Sequence, residues 1–174
     1  KVFREFIEDV IAKKTGNAQY TFADLYKDKN VRLVIIGCNL NKMREVQFSS
    51  ETYPNMPIAD AVRISMALPL VFRPVLMDTD YYVDGGIANN YPLKVFDGSR
   101  DVANMRTVGL KLLTTHEKKG ADIYEGRENI TNVVSFISTV VHTMSVSTER
   151  AAIDKNYWDR SIIINTRGVS TTDF

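Results

Sequence analysis

Asp84-Gly85-Gly86 is the point in this chain where residue types and spacing best suit chemistry. Tyr81, Tyr82 and Val83 favour extended structure and run into the aspartate; two glycines, the Asn89-Asn90 pair and Pro92 follow. A carboxylate at a strand end is placed to act as a general base, taking the proton of a nucleophile as it attacks. Open α/β sheets carry their chemistry at such carboxyl ends. Gly85 and Gly86 would permit a sharp turn and a close backbone approach. The same residue types also build ordinary surface turns, so the tripeptide alone leaves base and turn both open.

Three other constellations could carry chemistry. Asp78-Thr79-Asp80 follows the apolar Val75-Leu76-Met77 and offers a magnesium-dependent phosphotransfer site with an aspartyl nucleophile, or a calcium loop. A calcium loop needs glycine at its sixth position, where Val83 stands, and the phosphotransfer motif wants a small hydroxyl residue where Tyr82 stands. A hairpin turn is the better expectation. His116 falls in a charged stretch and His142 beside an apolar stripe; neither has metal-ligand spacing or an inviting place in a Ser-His-Asp triad. The ten serines include no Gly-x-Ser-x-Gly elbow, and no Gly-rich phosphate loop ends in Gly-Lys-Ser/Thr. The chain thus holds a candidate base without a recognisable nucleophile, and nothing in it calls for a cofactor or a metal.

The elements that must position these residues are readable from periodicity. Phe3, Phe6, Ile7, Val10 and Ile11 predict a helix over residues 1–14 with one apolar face. Thr21 reads as the cap of a short helical turn over 21–26. The continuous apolar run 31–39 predicts a strand buried on both faces, as in a parallel sheet, and 45–48 a shorter one. Pro57 suits the first turn of a helix over 58–68 that ends at Pro69. Strands are expected at 72–77, 81–83, 106–113 and 161–165, with a short helix at 93–96 and a solvated loop at 116–127. Ile130, Val133, Val134, Ile137, Val140, Val141 and Met144 predict a long helix from Asn129 to about Tyr157. Strands alternating with helices indicate an α/β domain with a largely parallel sheet.

The 174 residues are 44% hydrophobic and 25% charged, which suits roughly one globular domain. A formal net charge of +1 and the absence of a Lys/Arg run argue against a nucleic-acid partner. Cys38 is the single cysteine, so there is no disulfide framework. The longest apolar-rich stretch, 64–77, is interrupted by Ser65, Pro69, Arg73 and Pro74 and is too short to span a bilayer. A cytoplasmic or peripheral-membrane location is favoured. The opening at Lys1, inside a predicted helix, suggests a piece of a longer protein.

Taken together, three stretches resemble the patatin-like phospholipases. Asp84-Gly85-Gly86-Ile87-Ala88-Asn89-Asn90-Tyr91-Pro92 resembles that family's signature of Asp-Gly-Gly, two variable residues and Asn-Asn-x-Pro. Arg63 to Pro69, with Phe72-Arg73-Pro74, resembles the helix-and-proline segment before it, and Ile162 to Phe174 the late strand and the loop into the last helix. The resemblance implies a three-layer α/β/α sandwich with a largely parallel central sheet, of which residues 1–174 would be the downstream part. It implies a lipid acyl hydrolase acting on phospholipid or a related acyl ester through a Ser-Asp dyad. Asp84 would be the base, with Gly85, Gly86, Asn89 and Asn90 supporting the motif. Asn89 and Asn90 are expected to brace the loop by side-chain bonds to backbone. The serine elbow and the Gly-rich oxyanion loop match nothing here and would precede Lys1. Met66, Leu68, Leu70 to Phe72 and Val75 to Met77 would line an acyl channel or, more simply, pack in the core. Lipid substrates imply peripheral membrane contact, although no basic amphipathic helix marks a membrane face. The competing expectations are a non-catalytic regulatory protein with a degenerate fold of this type and the phosphotransferase using Asp78 and Asp80.

Overall fold

A computed structural model of the chain describes residues 2–98, 103–113, 130–153 and 157–166, which fall into two compact units, residues 1–90 and 91–174. The predicted loop at 116–127 lies outside the described residues.

The first unit is a four-stranded sheet with helices. Its elements are α1 (Val2–Thr15), α2 (Phe22–Lys29), β1 (Ile35–Asn39), β2 (Arg44–Phe48), α3 (Ile58–Ser65), β3 (Val75–Met77), β4 (Asp80–Asp84) and α4 (Gly86–Asn89). The strand order is β2-β1-β4-β3 and all three pairings are antiparallel. This corrects the expected largely parallel sheet. The physical reason lies in the connections: residues 40–43 link β1 to β2 and residues 78–79 link β3 to β4, and turns this tight can join only antiparallel neighbours. Met43 at φ +49° and Asp78 at φ +55° supply the left-handed backbone of those turns. The apolar run that resembled a parallel strand is a central strand covered on both sides. Gly37 faces Phe48 and Ile64, while Ile36 and Cys38 are buried on the opposite face.

Local signals explain the helices. Thr21 accepts from the Asp24 N–H while the Asp24 carboxylate accepts from the Thr21 N–H, a capping box that starts α2. Pro57 precedes α3, which stops at Ser65, three residues short of the expected end. Leu68, which precedes Pro69, is disfavoured in helical backbone. α3 buries Ile58, Ala59, Ala61 and Ile64 against the sheet. Phe48, fully buried, lies 4.9 Å from the Tyr53 ring and 6.1 Å from the Tyr82 ring at the centre of this core. α1 contributes Ile11 to the core and holds α3 through the Arg4–Asp60 ion pair at 2.9 Å, leaving Phe6 and Val10 exposed.

The second unit contains a 3₁₀ turn (Leu93–Phe96), β5 (Gly109–Leu113), the long α5 (Val133–Ala152) and β6 (Ser161–Asn165). Here the pairing is parallel, β5 against β6, with Gly109 opposite Ser161. Asn132 caps α5 by accepting from the Ser135 N–H at 2.9 Å. The stripe that predicted α5 is exposed at Val133, Val134, Ile137, Val140 and Met144. Two charge pairs tie the unit together: Lys111 with Glu149, which also accepts from the Tyr157 hydroxyl at 2.7 Å, and Arg160 with Asp97 at 2.6 and 3.1 Å. Among the described residues, no helix is long and apolar enough to cross a membrane.

Candidate functional site

Asp84 is the last residue of β4 and stands opposite Gly37 of the central strand. Its own N–H donates to the Ala67 carbonyl at 3.0 Å, tying the strand end to the segment after α3. Tyr82 and Val83 before it are buried, so the strand that presents the carboxylate is held on both faces. The side chain is half-buried, and Oδ1 accepts the Gly86 N–H at 2.6 Å. Burial pushes the carboxyl above the usual range because the charged form loses water; the Gly86 N–H opposes this by stabilising the anion. Oδ2 has no hydrogen bond among the described residues. The result is a carboxylate with one oxygen fixed, the other available, and a raised affinity for a proton. A group of that kind is suited to accept a proton from a neighbouring hydroxyl.

The glycines serve close approach rather than unusual backbone. Gly85 sits at φ −69°, ψ −19°, and the chain continues directly into the single turn of α4, which the sequence did not announce. A Cβ on Gly85 would lie 2.5 Å from the Ile36 carbonyl oxygen. One on Gly86 would lie 2.8 Å from Asn90 Oδ1 and 3.0 Å from Asp84 Oδ1. Asn89 braces the segment differently from expectation: its Nδ2 donates to the Glu45 carboxylate of β2 at 2.9 Å, not to backbone. Asn90 places its side-chain oxygen beside Gly86. Nothing in the sequence marks Glu45, since the pairing of β1 with both β2 and β4 is what brings it near. Gly37 did leave a signal: a glycine inside an apolar strand marks a close contact.

The other candidates do not join this group. Asp78 occupies the β3–β4 turn. Asp80 is engaged by Lys42 Nζ at 2.6 Å and Asn39 Nδ2 at 2.9 Å, and these bonds hold its carboxyl below the usual range. His142 is on α5 and exposed; His116 lies outside the described residues. Among the described residues no serine hydroxyl bonds to Asp84, and no group of three or more His, Cys, Asp or Glu side chains is placed to hold a metal ion.

A family model described as patatin-like phospholipase matches residues 1–97. The chain belongs to this family. The match takes in α3, the Asp-Gly-Gly stretch and Pro92; the late stretch 162–174 lies beyond it, with 167–174 also outside the described residues. The chain is also similar to curated proteins. An uncharacterised protein of Acanthamoeba polyphaga mimivirus is 35% identical over 158 residues, covering 91% of this chain and 50% of that protein. A protein of Invertebrate iridescent virus 6, named a probable lipid hydrolase, is 28% identical over 89 residues, 51% of this chain and 31% of its own length. An uncharacterised protein of Bacillus subtilis is 28% identical over 126 residues, 70% of this chain and 40% of its own length. This patatin-like chain spans half or less of each of these relatives.

Proposed function

We propose that the protein is a lipid acyl hydrolase of phospholipase A type, releasing fatty acid from a phospholipid or related ester through a Ser-Asp dyad in which Asp84 is the base. The observation that carries this reading is the half-buried Asp84 carboxylate at the strand end, with Oδ1 held by Gly86 and Oδ2 free of protein partners among the described residues. Membership of the patatin-like family and the probable lipid hydrolase name of the iridescent-virus relative support the substrate class. The serine and the oxyanion donors come, in this reading, from outside the 174 residues, where a parallel portion of the sheet completes a three-layer α/β/α sandwich.

The chemistry follows from the carboxylate. The serine hydroxyl, roughly 2.6–3.2 Å from Asp84 Oδ2, passes its proton to that oxygen as Oγ attacks the ester carbonyl. The protonated Asp84 returns the proton to the departing alcohol, leaving an acyl-enzyme. Water repeats the cycle and releases the fatty acid. Oxyanion donors contribute roughly 3–4 kcal/mol each in related reactions. Gly86 and the strand keep the base from turning away between steps.

Asp84→Asn in the full-length protein tests the assignment. It removes the base and keeps the shape, so ester hydrolysis falls by about 10²–10⁴-fold with the fold intact. An active Asp84→Asn enzyme would refute the dyad.

A further inference from the structure

Between α3 and β3, Ala67 packs in the core and the apolar residues that follow it do not. Leu68, Leu70, Val71 and Phe72 are 41%, 53%, 64% and 53% exposed. The segment is nonetheless built: the Leu68 carbonyl accepts from the N–H groups of Val71 at 3.2 Å and Phe72 at 2.9 Å, and Pro69 and Pro74 stiffen it. Leu70 is held at φ +71°, a backbone uncommon for a branched side chain. An ordered turn therefore leaves three consecutive bulky apolar side chains, Leu70, Val71 and Phe72, exposed.

The charges beside the turn bear on its partner. From Ile64 to Met77 the chain contains Arg73 and no carboxylate. Arg73 is exposed, Arg63 lies half-buried in the last turn of α3, and neither is paired with a carboxylate among the described residues. Apolar side chains flanked by unpaired arginines suit a lipid surface carrying negative headgroups. The turn is also joined to the candidate base, since the Ala67 carbonyl just before it accepts the Asp84 N–H at 3.0 Å.

We propose that the Leu68–Phe72 turn seats the protein on an anionic lipid surface, with Leu70, Val71 and Phe72 entering the interface and Arg73 at headgroup level. The choice of a lipid surface rests on the lipid acyl hydrolase reading, because the turn brings that surface to the segment bonded to Asp84. The test uses the full-length protein with phosphatidylcholine vesicles, with and without phosphatidylserine, and reads binding. The parent binds the anionic vesicles. The combined Leu70→Ser, Val71→Ser, Phe72→Ser variant binds them about tenfold or more weakly and hydrolyses a soluble short-chain ester as the parent does. Phe72→Trp gives an emission shift to the blue on those vesicles above the Trp158 background. Arg73→Gln reduces the preference for phosphatidylserine. The proposal is overturned if the parent fails to bind, if the triple variant binds like the parent, or if Trp at 72 shows no shift in bound protein, which would mean another protein segment covers the turn. Loss of soluble-ester turnover with vesicle binding retained would overturn it in favour of an acyl-site role. Binding differences that persist in a protein hydrolysing no ester would uphold the lipid contact and sink the hydrolase reading.

Discussion

Gly85→Ala separates two accounts of the Asp-Gly-Gly sequence. If the glycine serves a turn, it needs left-handed backbone, and asparagine is an acceptable substitute. Gly85 instead has φ −69° and ψ −19°, which any residue adopts, so the constraint must be space. A Cβ there meets the Ile36 carbonyl oxygen at 2.5 Å and its carbon at 2.6 Å, against 3.4 Å for ordinary contact, so the two backbones must part by about 0.9 Å. Ile36 lies in the central strand, paired to β2 on one side and adjacent to the Gly37–Asp84 pairing on the other. Neither backbone can yield without stretching ladder bonds. Overpacking of this kind costs about 1–3 kcal/mol, and contact with backbone on both sides puts Gly85→Ala at the top, about 3 kcal/mol. For a chain of this size that lowers the melting temperature by about 6–12 °C. Gly85→Asn should be at least as damaging. Gly16 is the control, at φ +78° with nothing within 4 Å of its Cβ position. There asparagine should be nearly neutral and alanine should cost about 1–2 kcal/mol. Urea denaturation of the full-length protein reads all four. A Gly85→Ala protein within about 0.5 kcal/mol of the parent would refute the close-packing argument.

Further outcomes follow from the charged groups. Burial raises the Asp84 carboxyl, so the folded protein holds that proton more tightly than the unfolded chain. Stability then falls as pH rises from the ordinary aspartate value of about 3.9 through the folded value, and Asp84→Asn should be at least as stable as the parent at pH 7 while losing that advantage below the window. Hydrolysis needing the ionised base should fade on acidification at a higher pH than an ordinary carboxylate would give, measured as a pH–rate profile. Asp80 has the opposite sign, because Lys42 and Asn39 lower its carboxyl. Asp80→Asn should reduce the urea midpoint at pH 7, with the gap closing as acid takes the parent through the lowered folded value. Arg160→Met leaves the half-buried Asp97 carboxylate without its guanidinium partner, with only the Asn104 N–H still donating to it, and should cost about 1–3 kcal/mol in the same assay.

Much of the local structure was legible because its causes are local. Thr21 with Asp24, Pro57, and the β-branched run Ser161 to Asn165 each carry their own instruction, and the elements begin or end beside them. The sheet direction was not legible in the same way. Apolar runs such as 31–39 report burial on both faces, and a parallel sheet and a helix-covered antiparallel one both impose that. Of the turns that decide between them, 78–79 is the hairpin that Asp78-Thr79-Asp80 led one to expect, whereas 40–43 contains no glycine and Met43 takes the left-handed backbone instead, so the usual hairpin signal was missing there. The candidate site shows the same division. A carboxylate at a strand end could be expected from Tyr81 to Gly86 alone, but what Gly85 is for depends on Ile36, nearly fifty positions earlier. Glycine is required by backbone angle in one setting and by a neighbouring strand in another, and the two look identical in a sequence. Only the β1–β4 pairing distinguishes them, and it makes the second glycine matter differently from the first. Gly85 keeps the strand ends together, while Gly86 keeps the space in which its own N–H reaches Asp84 Oδ1 at 2.6 Å. A side chain at the first position should therefore act on stability before activity. One at the second, where the obstacles are the side-chain oxygens of Asn90 and Asp84, should act on activity before stability.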